Sequence, residues 1–181
     1  MSVYYVSIDP GIEGTGWAVW DAGDEWNMVA RPVETGVIFP GRRKGDESDF
    51  VSKSDRVIKK LHVVVKSICP KKVWCEFPKL MESNYAATAS GNIFKLAYFV
   101  GRVNELCSAY GTFIPVDVND WKGQMPKPAV DARIARLLRN AEYPDHASDA
   151  VGIGLWAKGV WTNGKNSGTS ITRLRPAHTG E

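Results

Sequence analysis

Apolar and polar positions follow a readable period along most of the chain, and that period changes several times. Residues 3–9, Val-Tyr-Tyr-Val-Ser-Ile-Asp, form a β-branched and aromatic run that ends in an acid. Pro10 and Gly11 mark a turn, and a second β-rich run continues through Thr15, Trp17, Val19 and Trp20, so the pair reads as a hairpin with Asp9 at its rim. Trp26, Met28, Val29, Val33, Val37, Ile38 and Phe39 predict a third strand between Glu25 and Phe39, broken or held to an edge by Pro32. Gly41 to Asp49 is charged and reads as a loop. The period then becomes helical: Val57, Ile58, Leu61, Val64, Val65 and Ile68 share one face of a long helix that Pro70 stops.

Period two returns at Lys72 to Glu76, which puts Lys72, Trp74 and Glu76 on one face and again ends in an acid before a proline, at Phe77-Pro78. Phe77 to Ser90 reads as a loop entering a helix faced by Ile93, Phe94, Ala97, Tyr98, Gly101 and Leu106, with Gly101 implying a close packing contact. A strand at Thr112 to Val116, an irregular stretch from Asp117 to Pro128, a helix carrying Val130, Ile134, Leu137 and Leu138, and a last helix from about His146 to Val160 complete the pattern. The chain divides into a domain over residues 1–160 and a polar, basic, flexible tail over 161–181.

Composition narrows the class. The 181 residues suit one domain, 44% hydrophobic and 24% charged, with no apolar run long enough to span a bilayer, so a cytoplasmic protein is expected. Cys69, Cys75 and Cys107 show no zinc-site spacing and read as reduced thiols in or near the core. A net charge of +3 decides nothing alone. Separate basic patches at Arg42 to Lys44, Lys71-Lys72, Arg133 to Arg139 and the tail leave nucleic acid open as a partner.

Asp149 changes the weight of the two strand-end acids. It precedes Gly152, Ile153, Trp156 and Val160 at helical offsets and so lies on a core-facing stripe. A carboxylate there is costly unless paired or bound to a metal. The plainer role, a helix-start acid bonding first-turn amides, is better filled by Asp145 or Ser148. His146, three residues earlier, shares the face of Asp149. Asp9, Glu76 and Asp149 with His146 make an oxygen-rich set suited to Mg²⁺ or Mn²⁺. Two such ions could activate water for in-line phosphodiester cleavage.

These residues, in this order, resemble the RuvC family of Holliday-junction resolvases within the ribonuclease H-like superfamily. The matching pieces are Ile8-Asp9-Pro10-Gly11 with Thr15-Gly16-Trp17-Ala18, Glu76 closing its strand, Gly101-Arg102-Val103, Lys122 and Lys127, and His146-Ala147-Ser148-Asp149-Ala150. The resemblance implies an α/β ribonuclease H-like fold, a five-stranded mixed sheet of three antiparallel strands plus two parallel ones, flanked by helices. It implies an enzyme, a homodimer that nicks opposing strands of a four-way DNA junction with two Mg²⁺ or Mn²⁺ ions per site. Asp9, Glu76, His146 and Asp149 would be the metal ligands, with Lys122 beside them in catalysis. Phe77, Lys79, Tyr85, Lys122, Lys127 and Arg133 are the expected DNA contacts. Phe77 or Tyr85 would stack on an unpaired base, unless Phe77 belongs to the core. The compact, divergent form is of a bacteriophage type. Other branched DNA, such as forks, flaps and Y-junctions, and a non-catalytic junction-binding module remain open beside junction resolution.

Overall fold

The computed structural model describes residues 2–24, 31–41, 49–78 and 91–161. Five strands form one mixed sheet: β1 (Tyr4–Asp9), β2 (Thr15–Asp21), β3 (Glu34–Ile38), β4 (Lys72–Phe77) and β5 (Thr112–Asp117), in the order β3-β2-β1-β4-β5. The meander β1-β2-β3 is antiparallel, and β4 and β5 join β1 in parallel. The helices are α1 (Phe50–Ile68), α2 (Asn92–Ser108), the single turn α3 (Val118–Trp121), α4 (Lys127–Leu137) and α5 (Asp145–Ala157). Among the described residues no helix is long and apolar enough to cross a membrane.

Side-chain alternation along the strands divides the core in two. Val6, Ile8, Val19, Val73 and Cys75 point to the face covered by α1 and α2, where Val57, Leu61, Val65, Phe99, Val103 and Cys107 pack on them. Helix α1 starts where Asp49 accepts a hydrogen bond from the Ser52 amide at 2.7 Å, and ends at Cys69, left-handed at φ 49°, just before Pro70. Tyr5, Trp20 and Trp74 point the other way, onto α4 and α5.

Helix α5 is buried almost throughout and lies close to the sheet because its contact residues are small. A Cβ on Gly154 would stand 2.2 Å from the Trp20 ring, and one on Gly152 would stand 2.5 Å from the Trp121 ring. A buried polar link ties the helix down: Trp20 Nε1 donates to Ser7 Oγ at 2.8 Å, and Ser7 Oγ donates to the Ala150 carbonyl at 2.7 Å. The buried hydroxyl is thereby satisfied on both sides.

Four expectations are revised. The third strand is confined to Glu34–Ile38, with Phe39 exposed beyond it, and Trp26, Met28 and Val29 lie outside the described residues. The stretch from Asp117 to Pro128 is not wholly irregular. Asp117 caps α3 by accepting from the Asn119 amide, Trp121 is buried, and α4 already begins at Lys127. Among the described residues Gly101 makes no close contact, since a Cβ there would meet nothing within 4 Å. Trp161, at the head of the expected tail, belongs to the core and packs edge-on against Trp121; residues 162–181 lie outside the described ones.

Candidate active site

Three acids reach the same end of the sheet by different routes. Asp9 is the last residue of β1 and Glu76 the next-to-last of β4, on neighbouring parallel strands whose register pairs Ile8 with Cys75. Asp149 comes down from the first turns of α5. The helix can approach so closely because of β2: a Cβ on Gly16 would lie 1.9 Å from the His146 carbonyl oxygen, and one on Gly14 would lie 2.6 Å from the His146 ring. These glycines make room for α5 itself.

Each acid has its own partner. Asp9, 14% exposed, lies 2.9 Å from His146 Nδ1. A carboxylate can only accept, so the imidazole donates from Nδ1 and leaves Nε2 as the nitrogen able to ligate. Glu76 accepts from the Trp121 indole N–H at 2.9 Å. Asp149 takes two ammoniums, Lys122 on Oδ2 at 3.0 Å and Lys127 on Oδ1 at 2.6 Å. Lys127 also reaches the Asp145 carbonyl at 2.8 Å, Asp145 Oδ1 at 3.0 Å and Asp131 Oδ1 at 3.2 Å. Ser148 Oγ donates to Asp131 at 2.5 Å. Asp145 and Ser148, expected as helix caps, hold this network instead; the cap position is Pro144, without a side-chain bond.

Electrostatics mark the cluster as short of positive charge on one side. Burial raises the Asp9 pKa, and the nearby Asp149 charge adds to it against the opposing His146 hydrogen bond. Burial, then the Asp9 charge, pushes Glu76 up to about 7. The hydrogen bond to Asp9 raises His146. For Lys127, burial pulls the pKa down, but the hydrogen bonds it donates to Asp149 and Asp145 overcome it and the net direction is up.

A donor set of three mutually repelling, largely buried carboxylates and an imidazole suits a hard divalent ion in its chemistry. In position it is not closed: among the described residues no three His, Cys, Asp or Glu side chains converge as a metal cluster. Asp9 and Asp149 are turned instead to His146 and to the lysines.

The remaining expected contacts divide. Lys122 and Lys127 join the cluster. Phe77 is 46% exposed and not core; it lines a depression of about 670 Å³ with Pro78, Ile93, Phe94 and Pro115. The Arg133 guanidinium lies over the Trp161 ring, 4.4 Å from its centroid. Lys79 and Tyr85 lie outside the described residues. Sequence reasoning missed Trp121, Asp131 and Asp145. The available signal for Trp121 was a large aromatic next to a candidate lysine in a stretch otherwise read as loop.

No protein-family model matches the sequence, and no curated protein does. Solved structures do share its architecture. Thermus thermophilus RuvC in complex with a Holliday junction substrate aligns with a TM-score of 0.62 at 19% identity, over 88% of this chain and 98% of that one. A second Thermus thermophilus RuvC structure aligns with a TM-score of 0.59 at 18% identity, over 88% of this chain and 99% of that one. The five-stranded mixed sheet with its flanking helices is therefore a RuvC-type, ribonuclease H-like α/β fold.

Proposed function

We propose that this chain is a divalent-metal-dependent endonuclease of branched DNA that resolves four-way junctions, acting as a homodimer that nicks opposing strands. The observation that carries the reading is the gathering of Asp9, Glu76 and Asp149 at one end of a RuvC-type sheet, with His146, Lys122 and Lys127 among them. Asp9, Glu76, His146 through Nε2, and Asp149 would hold Mg²⁺ or Mn²⁺. When bound, two such ions would supply an activated water and stabilise the leaving oxygen.

The protein's own groups have separable tasks in this reading. His146 orients Asp9 by its Nδ1–H, and Trp121 fixes one oxygen of Glu76. Lys122 and Lys127 offer positive charge to the phosphates beside the cut. Phe77, exposed directly after Glu76, presents a ring for an unpaired base, with Lys79, Tyr85 and Arg133 as further DNA contacts. A homodimer is supported by the outer face of α2, where Phe94 and Tyr98 are exposed and no described residue lies within 4 Å of a Cβ on Gly101. Action in a cytoplasm and a bacteriophage source belong to the same proposal.

The test is cleavage of a labelled four-way junction beside a fork, a flap and a linear duplex, with Mg²⁺ or Mn²⁺, by wild type and Asp9→Asn. Paired nicks confined to the junction and lost in the variant are expected. Equal cutting of every branched substrate would make the protein a general branch nuclease. One observation favours the non-catalytic junction-binding module: Asp149 is engaged by lysines, and among the described residues no three ligands converge. Junction binding without cleavage in either metal would establish that second reading.

A further inference from the structure

Asp149 is the most heavily occupied of the three acids. Its side chain is 14% exposed, and both carboxylate oxygens already carry an ammonium. The nearer one belongs to Lys127, whose Nζ is surrounded by oxygens of Asp131, Asp145 and Asp149 and by the Asp145 carbonyl. An all-oxygen shell rich in carboxylates is what a hard metal cation takes. Here a lysine fills it. Lys122 closes the other side, its Nζ lying 4.7 Å from the centroid of the Trp121 ring whose N–H holds Glu76.

A lysine can leave such a place in a way a structural ion cannot. Its ammonium is a compact charge on a flexible four-carbon stem, and phosphate oxygens offer it an equivalent partner. Lys127 is one-third exposed, so its route to an approaching phosphate is open.

We propose that Lys127, seconded by Lys122, is an internal counter-cation that occupies Asp149 in the substrate-free protein, so that a divalent ion is held at full strength only after nucleic-acid phosphates draw the lysines away. Metal and nucleic acid then favour the same released arrangement. By linkage each tightens the binding of the other. Asp149 stays electrostatically satisfied when no substrate is present, and metal loading becomes conditional on DNA. This rests on the metal-nuclease reading above, and the experiment separates the two.

Mn²⁺ binding is read from the electron paramagnetic resonance signal of the free ion, without DNA and then with a linear duplex oligonucleotide. The salt is set near about 0.15 M, so that distant charges are screened. Wild type is compared with Lys127→Gln, Lys127→Arg, Lys122→Gln, Asp9→Asn and, as a control for simple charge removal, Lys53→Gln, whose ammonium pairs with Glu13. Lys127→Gln is expected to bind Mn²⁺ about tenfold more tightly than wild type without DNA, a coupling of ordinary size. Lys122→Gln should shift in the same direction, while Lys127→Arg and Lys53→Gln stay near wild type. Duplex should tighten Mn²⁺ binding to wild type, and to Lys127→Gln much less, since only Lys122 then remains to be displaced. Should Lys127→Gln fail to fold, Lys122→Gln carries the same comparison at Oδ2. Binding that Asp9→Asn abolishes but neither lysine variant alters overturns the counter-cation role and leaves the metal site standing. Failure of every variant to bind Mn²⁺ overturns both.

Discussion

Against one face of the sheet, α1 and α2 lay Val57, Leu61, Val65, Phe99 and Val103 over Val6, Ile8, Val19 and Val73. Against the other, α5 fits Gly152 and Gly154 to indole rings, bonds Ser7 and Asp9, and meets Glu76 through Trp121. The first face is held by dispersion and burial, which are non-directional and tolerate exchange of like volumes. Its buried thiols behave as hydrocarbons: burial raises Cys75, and pushes Cys107 up to about 12, so neither is a nucleophile near neutral pH. The second face has an apolar core of its own, built on Tyr5, Trp20, Trp74 and Trp121, but it also carries hydrogen bonds and ion pairs, where a partner left alone is penalised. Side-chain parity thus gathers the candidate site's acids on one face of the sheet only, and substitutions on the two faces should fail in different ways.

The largest expected effect is on the chemical face. Asp9→Asn should reduce metal-dependent junction cleavage on the order of 10³-fold. Its melting temperature should hold or rise, because burial works against the charged form of Asp9. A calorimetric melt run beside the cleavage assay checks both halves; lost activity with a collapsed melt would make Asp9 a structural residue. Leu61→Ala is the mirror experiment. Opening a cavity at this fully buried position should cost about 2–5 kcal/mol in urea unfolding. Turnover per folded molecule should stay near wild type.

The dependence of stability on pH sharpens the contrast. In metal-free protein, Glu76 has a folded pKa of about 7 against an ordinary value of 4.5. Over that window the folded state binds more protons than the unfolded one, so stability falls as pH rises, by up to ~3 kcal/mol. Glu76→Gln should flatten that fall, measured as urea midpoints from pH 4 to 8. An unchanged slope would mean that the carboxylate is not desolvated. Gly154→Ala should destabilise by roughly 1–3 kcal/mol, because the methyl group would press on the Trp20 ring. Cleavage should fall with it if α5 sets the position of Asp149. Gly101→Ala should have the smallest effect, a gain of about 1 kcal/mol in helix propensity on an open surface. Sedimentation of this variant tests the dimer reading, in which an added methyl group on α2 weakens self-association.

Much of the chemical face could be read from the sequence because its acids interrupt strong periodic patterns. Asp9 and Glu76 each end a β-branched or aromatic run, and Asp149 breaks an otherwise apolar helix stripe. The mixed sheet of three antiparallel and two parallel strands came from family resemblance, and the structure and its alignment with RuvC structures bear it out. What periodicity could not deliver was contact between residues distant in sequence. Trp121 reaches Glu76 across 45 positions, and nothing in the local pattern around either residue announces that bond. His146 was paired with Asp149 by helical spacing, yet its ring turns 137 positions back to Asp9. The close contact read at Gly101 is not found among the described residues, because a glycine in an apolar helix face looks the same whether or not another element packs against it.

The glycines of α5 carry a consequence for anyone diversifying this protein. Gly152 sits one turn beyond Asp149 and is fitted to Trp121, which in turn holds Glu76. A random library that widens position 152 would therefore move two acids at once, and would score the result as lost activity although no functional group had been touched. Positions 152 and 154 are best held constant while Lys122, Lys127 and Phe77 are varied around them. The least chemical residues of the helix set the tolerances to which the reactive ones are machined.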